Sequence, residues 1–154
     1  MMKNILTVML LSIGSLSFAQ QSDLVLENGK YYQMNGDLFS GQYVMYNNGS
    51  KIAELTVQEG VLSGSALYFY DNGNVKEQGQ FEQGMRSGIW SEYTSSGNLS
   101  GVASYHEDKK HGKWMVWDEN GNKRFEMYYN MGDRVGTWKM WDADGNLTTK
   151  SFEQ

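Results

Sequence analysis

The chain has 154 residues with 18 Gly, no Pro, no Cys and 21 aromatic side chains (5 Trp, 10 Tyr, 6 Phe). Its size fits one domain. The absence of Cys excludes a disulfide scaffold, a Cys-ligated metal and a thiol nucleophile, and a net charge of -5 argues against nucleic acid and against docking on anionic lipid.

The first element has the order of an export signal. Lys3 supplies a cation, Ile5 to Phe18 is apolar apart from small residues, and Ser17-Phe18-Ala19 places small side chains where a signal peptidase reads them. Residues 1–19 are therefore expected to be removed, with Gln20 as the mature start and the periplasm or the exterior as the compartment. The alternative is a short buried core element; separately, the run is too short for a comfortable membrane span of roughly 20 residues. Residues 20–40 are expected to form an N-terminal cap or degenerate half repeat.

Residues 41–154 are a repeat. Gly64, Gly88, Gly112 and Gly136 recur every 24 residues, and Gly41 precedes them. Gly73, Gly97, Gly121 and Gly145 recur nine residues later, with Gly49 one residue early, and Gly60, Gly84 and Gly132 precede the first column by four. Two residues after the first column stand Tyr43, Ala66, Trp90, Trp114 and Trp138. Five after it stand Tyr46, Phe69, Tyr93, Trp117 and Trp141.

Each unit reads as a β-hairpin. The first strand is predicted to be short, about Ile89–Thr94 in the clearest copy, and the returning strand longer, about Lys123–Tyr129. The glycine columns are read as repeat-defining turns, where φ > 0 costs glycine nothing and a nearby Asp or Asn bonds its own backbone. The fold expected is all-β: an elongated array of about five 24-residue hairpins, a solenoid or single-layer sheet, without substantial helix after the signal. One hairpin cannot hold a core, but stacked neighbours can. The two aromatic columns lie three residues apart, which places them on opposite faces of a flat strand. Either both faces carry aromatics, or a bulge turns one column inward. Unit five lacks a closing glycine link before Gln154, which predicts an open strand edge.

Arg86-Ser-Gly88-Ile-Trp90-Ser-Glu-Tyr93, Lys110-His-Gly112-Lys-Trp114-Met-Val-Trp117 and Arg134-Val-Gly136-Thr-Trp138-Lys-Met-Trp141, each followed by a Gly-Asn turn, resemble MORN-repeat variants. The resemblance spans about residues 36–154. It implies a hairpin array and extends to a YwqK-like group of antitoxins; other MORN proteins are scaffolds contacting proteins or lipids. Inhibition of a toxin is thus the specific function the resemblance implies.

Residues that could carry chemistry are few. His106 and His111 flank Glu107-Asp108-Lys109-Lys110 and read as a solvated linker rather than a metal or acid–base site. Asp142-Ala-Asp144-Gly145 and Asp71-Asn-Gly73-Asn74 read as turns rather than calcium loops, because the calcium pattern needs glycine at position six, whereas it falls at position four from Asp142, and the strand resumes at once. Three Asn-x-Ser/Thr triplets follow from the Gly-Asn turn column. No catalytic constellation, cofactor or metal is expected. The candidate partner-binding residues are Trp90, Tyr93, Trp114, Trp117, Trp138 and Trp141, which either fill the stack or anchor a ligand. The expected partner is a protein, with an envelope glycan stacked on the aromatic rows as the alternative. Residues 20–100 carry four basic and nine acidic groups, against eight and nine in 101–154; the acidic excess of the first part is read as a solvated face.

Overall fold

The computed structural model describes residues 24–153, so the export signal and its cleavage position fall outside the described residues. The described residues form strands and turns without helix. Two short strands, β1 (Val25–Glu27) and β2 (Lys30–Tyr32), make a separate hairpin. The rest is one antiparallel meander: β3 (Gly41–Asn47), β4 (Ser50–Gln58), β5 (Val61–Phe69), β6 (Val75–Glu82), β7 (Met85–Tyr93), β8 (Leu99–His106), β9 (Lys109–Lys110), β10 (Gly112–Trp117), β11 (Lys123–Asn130), β12 (Asp133–Trp141) and β13 (Leu147–Phe152). Each strand pairs with its sequence neighbours, and β9 and β10 are two halves of a strand split at His111. Five hairpins stack side by side in a single open sheet.

Two kinds of turn join the strands. The links Glu59-Gly60, Gln83-Gly84, Glu107-Asp108 and Met131-Gly132 have both residues at positive φ, the two-residue turn that suits strand twist. Asn48-Gly49 is of the same kind, which explains why unit one is a residue short. The outer ends of the other units are longer loops in which Gly73, Gly97, Gly121 or Gly145 takes φ of 81–89°. Adjacent units are also tied at the links: the N–H of Gly60, Gly84, Asp108 and Gly132 donates to the carbonyl of Phe39, Leu62, Arg86 and Lys110. The β1–β2 hairpin joins this ladder, since Tyr31 N–H donates to the Gly60 carbonyl and the Tyr31 ring lies 5.5 Å from Tyr43.

The first glycine column is not at turns. Gly64, Gly88 and Gly136 lie inside β5, β7 and β12, and Gly41 and Gly112 open β3 and β10. Gln78 pairs with Ser91 but Gln80 pairs with Ser87, so Gly88-Ile89-Trp90 stands opposite Gly79 alone. Gly64 (φ 120°) and Gly136 (φ 66°) mark the same irregularity. The column is a β-bulge, and positive φ inside a strand is why glycine is needed there. The first strand is consequently longer than the sequence pattern predicted: β7 starts at Met85, not Ile89. A second bulge follows on the returning strand, at Ile52, Lys76, Ser100 and Arg124.

Strand register resolves the question of the aromatic columns: both faces carry aromatics. One face, here the inner face, holds Trp90, Trp114 and Trp138 with Tyr68, Phe81, Tyr105, Tyr129 and Phe152. The core sits on it, around Ala53, Leu55, Ala66, Trp90 and Ala103. The opposite, outer face carries Tyr46, Phe69, Tyr93, Trp117 and Trp141, whose cross-strand partners are Lys51, Val75, Leu99, Lys123 and Leu147.

Candidate functional site: the outer face of the sheet

The inner-face aromatics form a ladder. Trp114 lies 5.2 Å from Tyr105 and 5.4 Å from Tyr129, and Trp138 lies 5.1 Å from Tyr129 and 4.8 Å from Phe152. A cation two residues before each bulge glycine covers each indole: Arg86 at 4.1 Å from Trp90, Lys110 at 4.4 Å from Trp114, Arg134 at 5.1 Å from Trp138. Such contacts add about 0.5–2 kcal/mol each. Burial alone would lower the pKa of Arg86, but Glu77, paired at 2.8 Å, holds it raised. The indole N–H groups of Trp114 and Trp138 donate to the Ser104 and Tyr128 carbonyls. Trp90 is wholly buried over Gly79 and its N–H has no partner.

This splits the six candidate aromatics. Trp90, Trp114 and Trp138 are inner-face packing residues, engaged by neighbours on both sides or sealed from solvent. Tyr93, Trp117 and Trp141 stand half-buried on the outer face, one per unit.

The outer face has two regions of different chemistry. Around Ile89, across units two and three, its residues include Ser65, Leu67, Gln78, Gln80, Ser91, Leu99 and Val102, none of them charged, with Glu82 further along β6 held by the Ser87 hydroxyl. Ile89 is 66% exposed here, beside a shallow groove walled by Leu67, Gln78 and Gln80. Across units four and five the face is cationic. Glu126 is buried, and Lys113 at 3.1 Å, Lys123 at 3.2 Å and Lys139 at 3.7 Å converge on its carboxylate. The hydrogen bonds from Lys113 and then Lys123 hold the Glu126 pKa down to about 2. Three cations on one anion leave a positive patch on a negatively charged chain.

Trp117 and Trp141 each wall a groove at the outer edge of this region. One groove includes Asn98, Leu99, Glu119 and Asn120; the other includes Asn122, Lys123, Ala143 and Asp144. These are the same repeat positions one unit apart. The corresponding place beside Tyr93 is bridged, because Asn72 and Asn74 both donate to the Ser95 carbonyl at 2.8 Å. In the later units the side chains fold back locally: Asn122 and Asn146 bond Asp118 and Asp142. Asp118 and Asp142 also accept N–H groups of their own turns, and both carboxyls are held below their ordinary pKa, Asp118 chiefly by the Asn122 N–H and Asp142 chiefly by the Asn146 side chain. Arg124 crosses between these turns, contacting the Asp118 carboxylate and the Asp142 carbonyl.

The histidines lie elsewhere. Their ring centroids are 5.8 Å apart and both rings are exposed. Glu107-Asp108 between them is a tight turn, and Asp108 Oδ1 accepts the Arg86 N–H at 2.7 Å. Among the described residues no group of three or more His, Asp or Glu side chains is placed to hold a metal, and no helix is long and apolar enough to cross a membrane.

Comparison with known families agrees with the hairpin geometry. The family model described as MORN repeat variant matches residues 62–83, 110–131 and 134–152. These are units two, four and five. Unit one, with its two-residue outer turn, and unit three, with Asp108 in place of the link glycine, fall outside the matched segments. MORN repeats commonly serve as modules that contact proteins or membranes. No curated protein matches the chain.

Sequence reasoning placed the aromatic candidates but missed Ile89, Glu126 and the three lysines. A signal for part of this was present: Lys123 and Glu126 repeat the spacing of Lys51 and Glu54, which also pair, at 3.1 Å. The cations Arg86, Lys110 and Arg134 likewise recur every 24 residues.

Proposed function

We propose that this protein is an exported, non-enzymatic interaction module that docks a partner polypeptide on the outer face around Ile89, in units two and three. The observation that carries the reading is Ile89, a large aliphatic side chain 66% exposed among uncharged neighbours. An apolar centre depleted in charge is the composition of a protein interface core. The single-layer sheet presents it rigidly, because the inner-face ladder fixes each strand from behind. Export rests on the signal-like residues 1–19. The more specific version, inhibition of a toxin, rests on the resemblance to YwqK-like antitoxins and places the toxin outside the cytoplasm. An envelope glycan is the second ligand class, favoured by the two grooves beside Trp117 and Trp141 rather than by the Ile89 patch.

The test is capture on immobilised residues 20–154 from native envelope and culture fluid, with Ile89→Asp in parallel. The expected outcome is one enriched polypeptide whose affinity falls at least about tenfold in the variant, as for a central interface residue. Inhibition of that polypeptide's activity would support the toxin reading. Equal retention by Ile89→Asp, or no retained polypeptide, refutes docking at this patch.

A further inference from the structure

The outer face of units four and five has aromatics and open grooves at one-repeat spacing beside a cluster of three lysines, away from Ile89. We infer that Trp117, Trp141 and the Lys113–Lys123–Lys139 cluster form a binding site for an extended, carboxylate-bearing polysaccharide with a two-sugar repeat. The inference rests on the glycan reading above and adds the sugar class and the residues.

Spacing argues for a sugar chain over a peptide. Trp117 and Trp141 occupy equivalent positions two strands apart, so their backbone positions recur at ~9–10 Å, twice the spacing between neighbouring strands. An extended peptide repeats same-facing side chains every ~6.6 Å, out of step with that pitch. In an extended β-1,4-linked sugar chain alternate rings face the same way, and one disaccharide is close to the aromatic pitch. Each indole then offers an apolar platform for one sugar face.

Charge selects the kind of sugar. Lys113, Lys123 and Lys139 are 43%, 37% and 45% exposed, and Glu126 holds them in place from beneath. Three lysines share the one Glu126 carboxylate, a local excess of two positive charges set back from the Glu119 and Asp144 carboxylates at the groove rims. Lys123 serves both elements, since it lines the second groove and its Nζ lies 5.7 Å from the Trp141 ring. At the rims, Asn120, Glu119 and Asp144 have polar groups for sugar hydroxyls.

The probe is a β-1,4-linked mannuronate hexamer, titrated by calorimetry and tryptophan fluorescence against residues 20–154. Cellohexaose and a hexaglutamate peptide are the neutral-sugar and acidic-peptide comparisons. The mannuronate hexamer is expected to bind best, with affinity falling as salt rises. Trp141→Ala should weaken it about tenfold and Lys139→Gln about threefold. The lysine variant alters an exposed group and so keeps the test valid if the tryptophan variant unfolds. Equal binding of cellohexaose overturns the acidic assignment while leaving a glycan site standing. Equal binding of hexaglutamate, unchanged binding by Lys139→Gln and Trp141→Ala, or no glycan binding at all overturns the site itself. None of these outcomes bears on the Ile89 patch, which is read separately with Ile89→Asp.

Discussion

Gly79→Ala probes the inner-face packing with a single methyl group. Gly79 lies in β6 and its φ is outside the left-handed region, so alanine can adopt the backbone without strain. At an open strand position the change would stabilise by about 0.4–1 kcal/mol through the unfolded chain. Here the added Cβ would sit 2.6 Å from Trp90 Cγ and nearer still to Cδ2 and Cε2. Carbon atoms prefer about 3.5–4.0 Å, so the indole would have to move by about 1 Å or more. It has nowhere to go: Phe81 is 5.1 Å away, Arg86 covers the ring at 4.1 Å, and the side chain has no exposed surface. Overpacking of this kind costs about 1–3 kcal/mol. Urea unfolding followed by circular dichroism should therefore show Gly79→Ala less stable by that amount. In a Trp90→Ala background the same change should cost nothing or stabilise, giving a coupling energy of at least about 1 kcal/mol. A neutral or stabilising Gly79→Ala in the native background would refute the stacking of Trp90 on the β6 backbone.

Three further outcomes are expected. Glu126 has its pKa lowered to about 2 by the lysines, so its contribution to stability is fully present above about pH 4.5 and is lost as pH falls towards about 2; Glu126→Gln should flatten urea stability over that window, and an unchanged pH profile would contradict the three-lysine geometry. Asp108 has φ of 63° and accepts the Arg86 N–H; Asp108→Ala should lose both the acceptor and the tolerance for that φ and destabilise by about 1–2 kcal/mol, more than Asp108→Gly, with the reverse order in urea unfolding counting against the link geometry. Arg86→Met should leave Glu77 unpaired in a part-buried site and cost about 1–3 kcal/mol, read by the same unfolding curve, and a neutral result would remove Arg86 from the ladder.

The period, the number of units and the all-β class could be read directly from the glycine and aromatic columns, because a 24-residue recurrence leaves room for a hairpin but not for a strand and crossover helix. The outer turns were legible for the same reason. The role of Gly64, Gly88 and Gly136 was not. Positive φ is required both in a turn and in a bulge, so the residue type alone does not distinguish them, and reading Gly88 as a breaker cut β7 short by four residues. The bulges also reset side-chain alternation, which left the facing of Trp90 against Tyr93 open until the register was known. Glu126 and its lysines come from three different strands, and a convergence of that kind has no linear signature beyond the Lys123–Glu126 spacing. Ile89 looked like any strand aliphatic; only pairing with Ser104 across the sheet places it outward.

Labour is divided between the two faces: the inner face holds the sheet together and, we propose, the outer face binds. Trp138 and Trp141 test it most directly, being three residues apart on one strand and on opposite faces. Trp138 is 9% exposed, stacked between Tyr129 and Phe152, and bonded to the Tyr128 carbonyl. The measurement is urea stability and mannuronate-hexamer affinity for Trp138→Ala and Trp141→Ala side by side. Trp138→Ala should lose about 3–5 kcal/mol of stability, as a buried indole does, while the fraction that remains folded keeps the native affinity. Trp141→Ala should lose markedly less stability and about tenfold in affinity. Equal stability losses, or loss of affinity in the folded Trp138→Ala protein, would contradict the separation of the two faces.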